Sequence, residues 1–207
     1  MWIYQRQEEP MSEPISISKL VGGGYNCFWN TKKMWRVCKG AKGSKKSKTT
    51  ALWFIYNMMK YYPYANSLVV RRYFNDIRDS CFNDLLWAIE RLGVSQFWRS
   101  TKSPMEIIYQ PQGADGPTTK ILFRGMDDAS KLASISVITG ILCWVWVEEA
   151  YQITDEQEFD KLQMSIRGAL PEGVGLFKQF TLTFNPWSEH TWIKPRFFDH
   201  PDDDVFS

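Results

Sequence analysis

Two short stretches hold the residue types that could do chemistry on a phosphate. The first reads Gly40-Ala41-Lys42-Gly43-Ser44-Lys45-Lys46-Ser47 and runs on into Lys48, Thr49 and Thr50. Gly40, Lys46 and Ser47 match the pattern G-x-x-x-x-G-K-[ST]. In that pattern loop amides face phosphates, the lysine reaches the outer phosphates and the hydroxyl serves Mg2+. Gly43, Ser44, Lys45 and Lys48 complete the segment, and their backbone N–H groups are candidate phosphate donors. Lys45 stands where the pattern has its second glycine, a position at which glycine lets the backbone turn without steric cost. The plainer reading is a solvated basic loop, since Lys39, Lys42, Lys45, Lys46 and Lys48 lie close together. The second stretch is Glu148-Glu149, at the end of the apolar run ILCWVWV. Adjacent carboxylates are costly there unless something charged meets them. The first could hold Mg2+ and the second could polarise an attacking water; a solvated strand end is the plainer alternative for the pair taken alone. Glu148 carries one methylene more than the aspartate usual for such a role, which the geometry must absorb.

Such residues need elements that bring them together. A strand is expected at Met34–Cys38, followed by the loop and then a helix from Lys48 to about Tyr61. Leu52, Ile55, Met58 and Met59 fall at i, i+3, i+4 spacing there, and Pro63 ends it. Ser67–Val70 is apolar throughout, as in a strand covered on both faces. Phe74–Leu92 reads as one helix, with Ile77, Cys81, Leu85, Ala88 and Leu92 on a single stripe and Gly93 as its stop. Met105–Tyr109 and Lys120–Phe123 flank a Gly/Asp/Pro loop and predict a hairpin-like pair. Ile141–Val147 is a buried central strand, Glu156–Arg167 an amphipathic helix, and Lys178–Phe184 a further strand. Strands alternating with helices predict an α/β fold, a sheet with helices on both faces.

Composition excludes several classes. The chain has 207 residues, with 25 Lys+Arg against 23 Asp+Glu, a formal net charge of +2. That argues against a protein that coats nucleic acid with a basic surface. Cys27, Cys38, Cys81 and Cys143 form no C-x-x-C pair, and His190 and His200 lie far from all four, which disfavours zinc and a disulfide framework. The N-terminus lacks a signal-peptide pattern. The longest apolar run, Gly140–Val147, is far shorter than the ~20 residues that span a bilayer, so no membrane association is expected. Aromatic residues make up 15% of the chain, which implies a large core, a partner surface, or both.

Taken together, the stretches YNCFWNTKK, VCKGAKGSKKSKTTA, SLVVRR, ILFRGMDD, WVWVEEAY and FKQFTLTFNPWSEHTW resemble the large terminase subunits of tailed bacteriophages, in particular their prophage-type branch. The resemblance runs from about Val21 to Phe198, and VEEAY followed by TFNPWS is its most specific part. It implies a P-loop NTPase fold of the ASCE type and an ATP-hydrolysing motor that drives double-stranded DNA into a procapsid. ATP and Mg2+ are the implied cofactors. Lys46 and Ser47 take the phosphate and Mg2+ roles, Glu148 the metal-binding acid and Glu149 the catalytic carboxylate. Lys42 stands where the family often has a phosphate-loop arginine, and keeps the charge without the bidentate fork. Thr183 and Asn185 match the family's coupling motif, with Asn185 placed to orient water or sense the γ-phosphate. Tyr25 and Asn26 lie where the family holds adenine; Phe28 and Trp29 beside them are adenine contacts or core. Arg124, Arg71 or Arg72 would be the arginine donated across a ring of subunits.

The implied partners are double-stranded DNA, the portal protein, the small terminase subunit and further copies of the chain, in the cytoplasm of a bacterial host. The expected organisation is an arm over residues 1–24, an ATPase domain over 25–200 that is open to truncation at its C-terminal end, and a solvated acidic tail over 201–207. The family's C-terminal nuclease domain is expected to be absent from this chain. A remnant that binds portal or DNA without turnover is the rival expectation.

Overall fold

The computed structural model describes residues 16–111, 118–127, 135–166, 169–173, 175–186, 191–199 and 201–207. Eight strands form one sheet: β1 (Trp35–Lys39), β2 (Ala65–Arg71), β3 (Trp98–Lys102), β4 (Met105–Tyr109), β5 (Thr119–Gly125), β6 (Ile141–Glu148), β7 (Gln179–Phe184) and β8 (Val205–Phe206). Their order is β3-β4-β5-β2-β6-β7-β1-β8. Neighbours from β5 through β8 pair in parallel, and β4 runs antiparallel to both β3 and β5. This is the mainly parallel P-loop sheet that was expected, with the antiparallel strands at one side. A strand, β7, lies between β1, which enters the loop, and β6, which ends in the two glutamates, as in an ASCE arrangement.

The central strands are apolar on both faces because helices cover both. On one face α3 (Lys46–Lys60) and α4 (Asn83–Arg91) pack on Val69, Phe123, Trp144 and Trp146. On the other, α5 (Glu156–Ser165) and the turn Pro195–Asp199 pack on Trp35, Leu68, Val145 and Leu182. Two short helices, α1 (Ile17–Val21) and α2 (Asn26–Asn30), precede β1. Trp144 and Trp146 are fully buried, and each indole N–H finds an acceptor: the Phe177 carbonyl at 3.1 Å and Thr183 Oγ1 at 2.8 Å. That satisfaction is what makes a core tryptophan affordable.

Four expectations change. The helix after the loop begins at Lys46, two residues early, so the lysine and Ser47 belong to its first turn. Phe74–Leu92 is not one α-helix: a 3₁₀ turn (Phe74–Ile77) and a π turn (Arg78–Phe82) precede α4. There the Ser80 hydroxyl bonds the Asp76 carbonyl at 2.8 Å and accepts from Arg71 at 3.1 Å, drawing the segment toward the end of β2. The strand β3 is new; its sequence WRSTK is polar, as suits an edge. Finally, the acidic 201–207 stretch is more than a solvated tail, because Val205 and Phe206 pair with Trp35 and Arg36 of β1. Gly93 stops α4 as expected, at φ +67°. Arg167, His190, His200, Trp187, Asp128 and most of the 1–24 arm lie outside the described residues.

Candidate functional site

Parallel strands deliver their following loops to one edge, and there the predicted residues meet. The carboxyl ends of β2, β6, β7 and β1 stand side by side, carrying Arg71, Glu148, Phe184 and Lys39. The loop leaves β1 at Gly40, whose N–H bonds the Phe184 carbonyl of β7 at 3.2 Å. A Cβ on Gly40 would come within 2.8 Å of Ser44 Oγ, so the loop folds back over this position. Lys45 adopts φ 66°, ψ 9°, the left-handed conformation for which the pattern uses glycine. The lysine takes it at a cost of about 1 kcal/mol or more, and the loop keeps its turn. Lys42 and Gly43 are exposed at the loop's crest.

Lys46 is buried, and its Nζ donates to Asn185 Oδ1 at 2.6 Å. Asn185 follows β7 directly, so the loop lysine and this amide are in contact. Glu149 sits in the left-handed region at φ 49°, ψ 49°, where the chain turns off β6. A non-glycine residue held there marks a site where the fold over-determines the backbone. Its Oε2 is buried without a hydrogen-bond partner among the described residues. Burial first, and then neighbouring Glu148, push the Glu149 carboxyl above its ordinary pKa; Lys46, Arg71 and the Asn185 backbone N–H pull against that rise.

Glu148 is buried at the end of β6. Its extra methylene carries the carboxylate toward the π turn, where Cys81 Sγ donates to Oε2 at 2.9 Å and Arg71 Nη1 stands 3.9 Å away. Burial and the Glu148 charge together hold the Cys81 thiol well above its ordinary pKa, so it remains a donor. In the sequence Cys81 is only one member of a helical stripe; nothing local signals that a π turn aims it at the acid.

Several predicted residues face elsewhere. The Lys48 ammonium pairs with Asp84 at 2.8 Å and lies over the Trp87 ring, which leaves its backbone N–H for a phosphate. The Thr183 hydroxyl faces away from the loop and accepts from Trp146. Among the arginines, Arg71 turns inward to Glu148, Ser80 and the Asp76 carbonyl, while Arg72 pairs with Glu158 of α5. Arg124 donates to the Phe123 carbonyl at 2.8 Å and borders a cleft of about 460 Å³ shared with Phe74, Pro104 and Asp127. Tyr25 donates its hydroxyl to the Ser44 carbonyl, tying the segment before β1 to the loop. Asn26 is exposed beside it, and Phe28 is core. Tyr25, Asn26, Trp29 and Gly22 line a cleft of about 470 Å³.

The donor set suits a hard cation: the Ser47 hydroxyl and Glu148 are oxygen ligands of the kind Mg2+ takes. Ser44 Oγ, Thr49 Oγ1 and Glu149 Oε2 are buried here without partners among the described residues, as fits a loop built to meet further polar groups.

Comparison with known proteins follows the same lines. Residues 32–207 match the sequence model of the family described as phage terminase large subunit. The chain is 34% identical over 163 residues to the terminase large subunit of Bacillus phage SPP1, covering 78% of this chain and 36% of that one. It is 30% identical over 170 residues to the PBSX phage terminase large subunit of Bacillus subtilis, covering 82% and 35%. It therefore spans about a third of the length of these relatives. Among solved structures, the large terminase of a thermophilic bacteriophage superposes with a TM-score of 0.63 at 14% identity, over 92% of this chain and 43% of that one. The complex of that same terminase with ATP-gamma-S gives 0.58 at 13% identity, over 88% and 41%. These likenesses concern the fold.

Proposed function

Because this chain belongs to the phage terminase large-subunit family, we propose that its site binds ATP and hydrolyses the γ-phosphate to drive double-stranded DNA into a procapsid. The observation that carries the reading is the convergence of Lys46, Asn185 and Glu149 at one strand edge, with a buried Glu149 oxygen left unpaired. Loop amides and Lys46 hold the phosphates. Asn185, which accepts from Lys46, would orient the attacking water or sense the γ-phosphate. Glu149 polarises that water and takes its proton; a carboxylate with a raised pKa is a better base than an ordinary one. Ser47 and Glu148 would hold Mg2+, which when bound would neutralise phosphate charge. Catalysis is then positioning and charge stabilisation, with no covalent enzyme intermediate.

DNA, the portal protein and the small terminase subunit are the partners of this reading, in the host cytoplasm and with several copies of the chain in a ring. Backbone contacts shared among subunits accommodate a net charge near zero on each. Among the described residues no helix is long and apolar enough to cross a membrane. Of the three candidates for an arginine offered to a neighbouring subunit, Arg124 fits best: Arg71 and Arg72 are tied to acids of their own chain.

DNA-stimulated ATP hydrolysis tests the reading. Lys46→Ala and Glu149→Gln are each expected to lower the rate by about 10²-fold or more, the usual cost of removing a transition-state contact. Equal background rates in the wild type and both variants would remove the enzymatic reading.

A further inference from the structure

Arg36 is the second residue of β1 and is fully buried. Among the described residues no acid stands within ion-pair distance of it. Its guanidinium is instead stacked between two rings, 4.2 Å from the centroid of Phe28 and 4.0 Å from that of Trp53. In its plane, Nε and Nη2 donate to Thr181 Oγ1 at 3.0 and 2.7 Å, and Nη1 donates to the Phe28 carbonyl at 3.3 Å. Burial works against its charge and lowers its pKa well below the ordinary value. Taking such a charge out of water is costly, and here the two ring faces and the three hydrogen bonds offset that cost.

Its contacts share a pattern. Phe28 belongs to α2, which begins at Asn26 directly after Tyr25; Trp53 belongs to α3, which starts in the phosphate loop; Thr181 belongs to β7, which ends at Phe184 just before Asn185. The α2 segment cannot hold itself in place. It is five residues long, has no side-chain cap and follows Gly22-Gly23-Gly24, and isolated helices that short are unstable. Bonds from outside fix it: Tyr25 Oη to the Ser44 carbonyl, Trp53 Nε1 to the Trp29 carbonyl at 2.9 Å, and Arg36 to Phe28. The Arg36 guanidinium also reaches β7 through Thr181, and Gln179 of β7 donates to the Thr31 carbonyl at the end of α2 at 3.0 Å.

We propose that Arg36 is a positioning residue that seats the Tyr25–Trp29 segment against β7, so that the base of a bound nucleotide meets a preformed cleft. The proposal rests on the nucleotide reading above and adds to it a residue remote from the phosphates. Arg36 touches no part of the nucleotide and acts through Phe28.

Two ligands separate the effects: ADP, which needs the base cleft, and tripolyphosphate, which needs only the loop. Arg36→Met is expected to weaken ADP binding about tenfold, or about 1.4 kcal/mol, measured by calorimetry in one Mg2+-containing buffer. Tripolyphosphate affinity should stay within twofold. Thr181→Val removes the acceptor of two guanidinium bonds and should repeat the ligand pattern at a lower melting temperature, since it strands buried donors, while Thr181→Ser, which keeps the hydroxyl, should restore wild-type ADP binding. These variants decide the matter if Arg36→Met does not fold. Parallel loss of both ligands, or unchanged ADP affinity, overturns the role of Arg36. Wild-type protein that binds tripolyphosphate as tightly as ADP overturns it too, leaving the phosphate loop intact. Wild-type protein that binds neither overturns the nucleotide reading itself.

Discussion

Glu149 carries the most chemical information of any single residue. It occupies a backbone conformation that a glutamate adopts only at a cost, it has an unpaired buried oxygen, and its pKa is raised. The raised value has a consequence for stability as well as for catalysis. Below the ordinary carboxylate pKa the group is protonated in both folded and unfolded chains, and the fold bears no penalty. As pH rises through the higher folded value, the fold must accept a charge that the unfolded chain accepts more readily, and stability is lost. Glu149→Gln removes that charge. In metal-free, nucleotide-free protein the variant should melt above the wild type at neutral pH, and the gap should close as pH falls below the ordinary carboxylate range. A gap that stays constant across that range would show that Glu149 is not strained by its charge. Lys45 offers a second lesson at this scale. The sequence shows that a lysine replaces the glycine of the pattern, but whether the loop turns regardless is a matter of φ, and at 66° it does.

At the scale of elements, strand ends matter more than strand middles. β7 contributes Asn185 to the site and, two residues earlier, Thr183 to the core. The Thr183–Asn185 stretch thus faces two ways: the amide meets Lys46, and the hydroxyl holds the Trp146 indole in β6. Thr183→Val keeps the shape but strands a buried N–H, which costs about 1–3 kcal/mol. Urea unfolding should show a lower midpoint with an unchanged slope, and Thr183→Ser should recover most of the loss. A Thr183→Val variant as stable as the wild type would mean that the indole finds another acceptor. The central strands were legible in the sequence because burial on both faces leaves continuous apolar runs such as ILCWVWV. The edge strands β3 and β8 were not: one is polar and the other two residues long. The π turn was not legible either. Its residues have an ordinary helical stripe, and Arg71, which bonds Ser80 within it, comes from another element.

For the whole molecule, the same limit explains why the phosphate loop could be read from the chain and the Arg36 cluster could not. The loop is local, eight consecutive residues with a recognisable spacing. Arg36 gains its meaning from partners as far away as Thr181, which only the sheet order brings beside it. Long-range assembly also sets what supports β1, the strand that carries the loop. β7 flanks it on the inside and β8 on the outside. The outer side is held by the Trp35 N–H to the Asp204 carbonyl at 2.9 Å, by Lys33 Nζ to the Val205 carbonyl at 3.1 Å, and by packing of Val205 on the core. Removing residues 201–207 would leave β1 as an exposed edge, with unpaired backbone groups ready to pair with another chain. The shortened protein should melt lower, bind ADP more weakly because the loop's strand has lost its outer support, and self-associate in light scattering. Asp202→Asn with Asp203→Asn keeps the backbone pairing and removes only surface charge, so it should do none of these. If the deletion behaves like the charge variant, β8 contributes nothing to the edge. If only the deletion fails, the last residues belong to the framework that holds the phosphate loop.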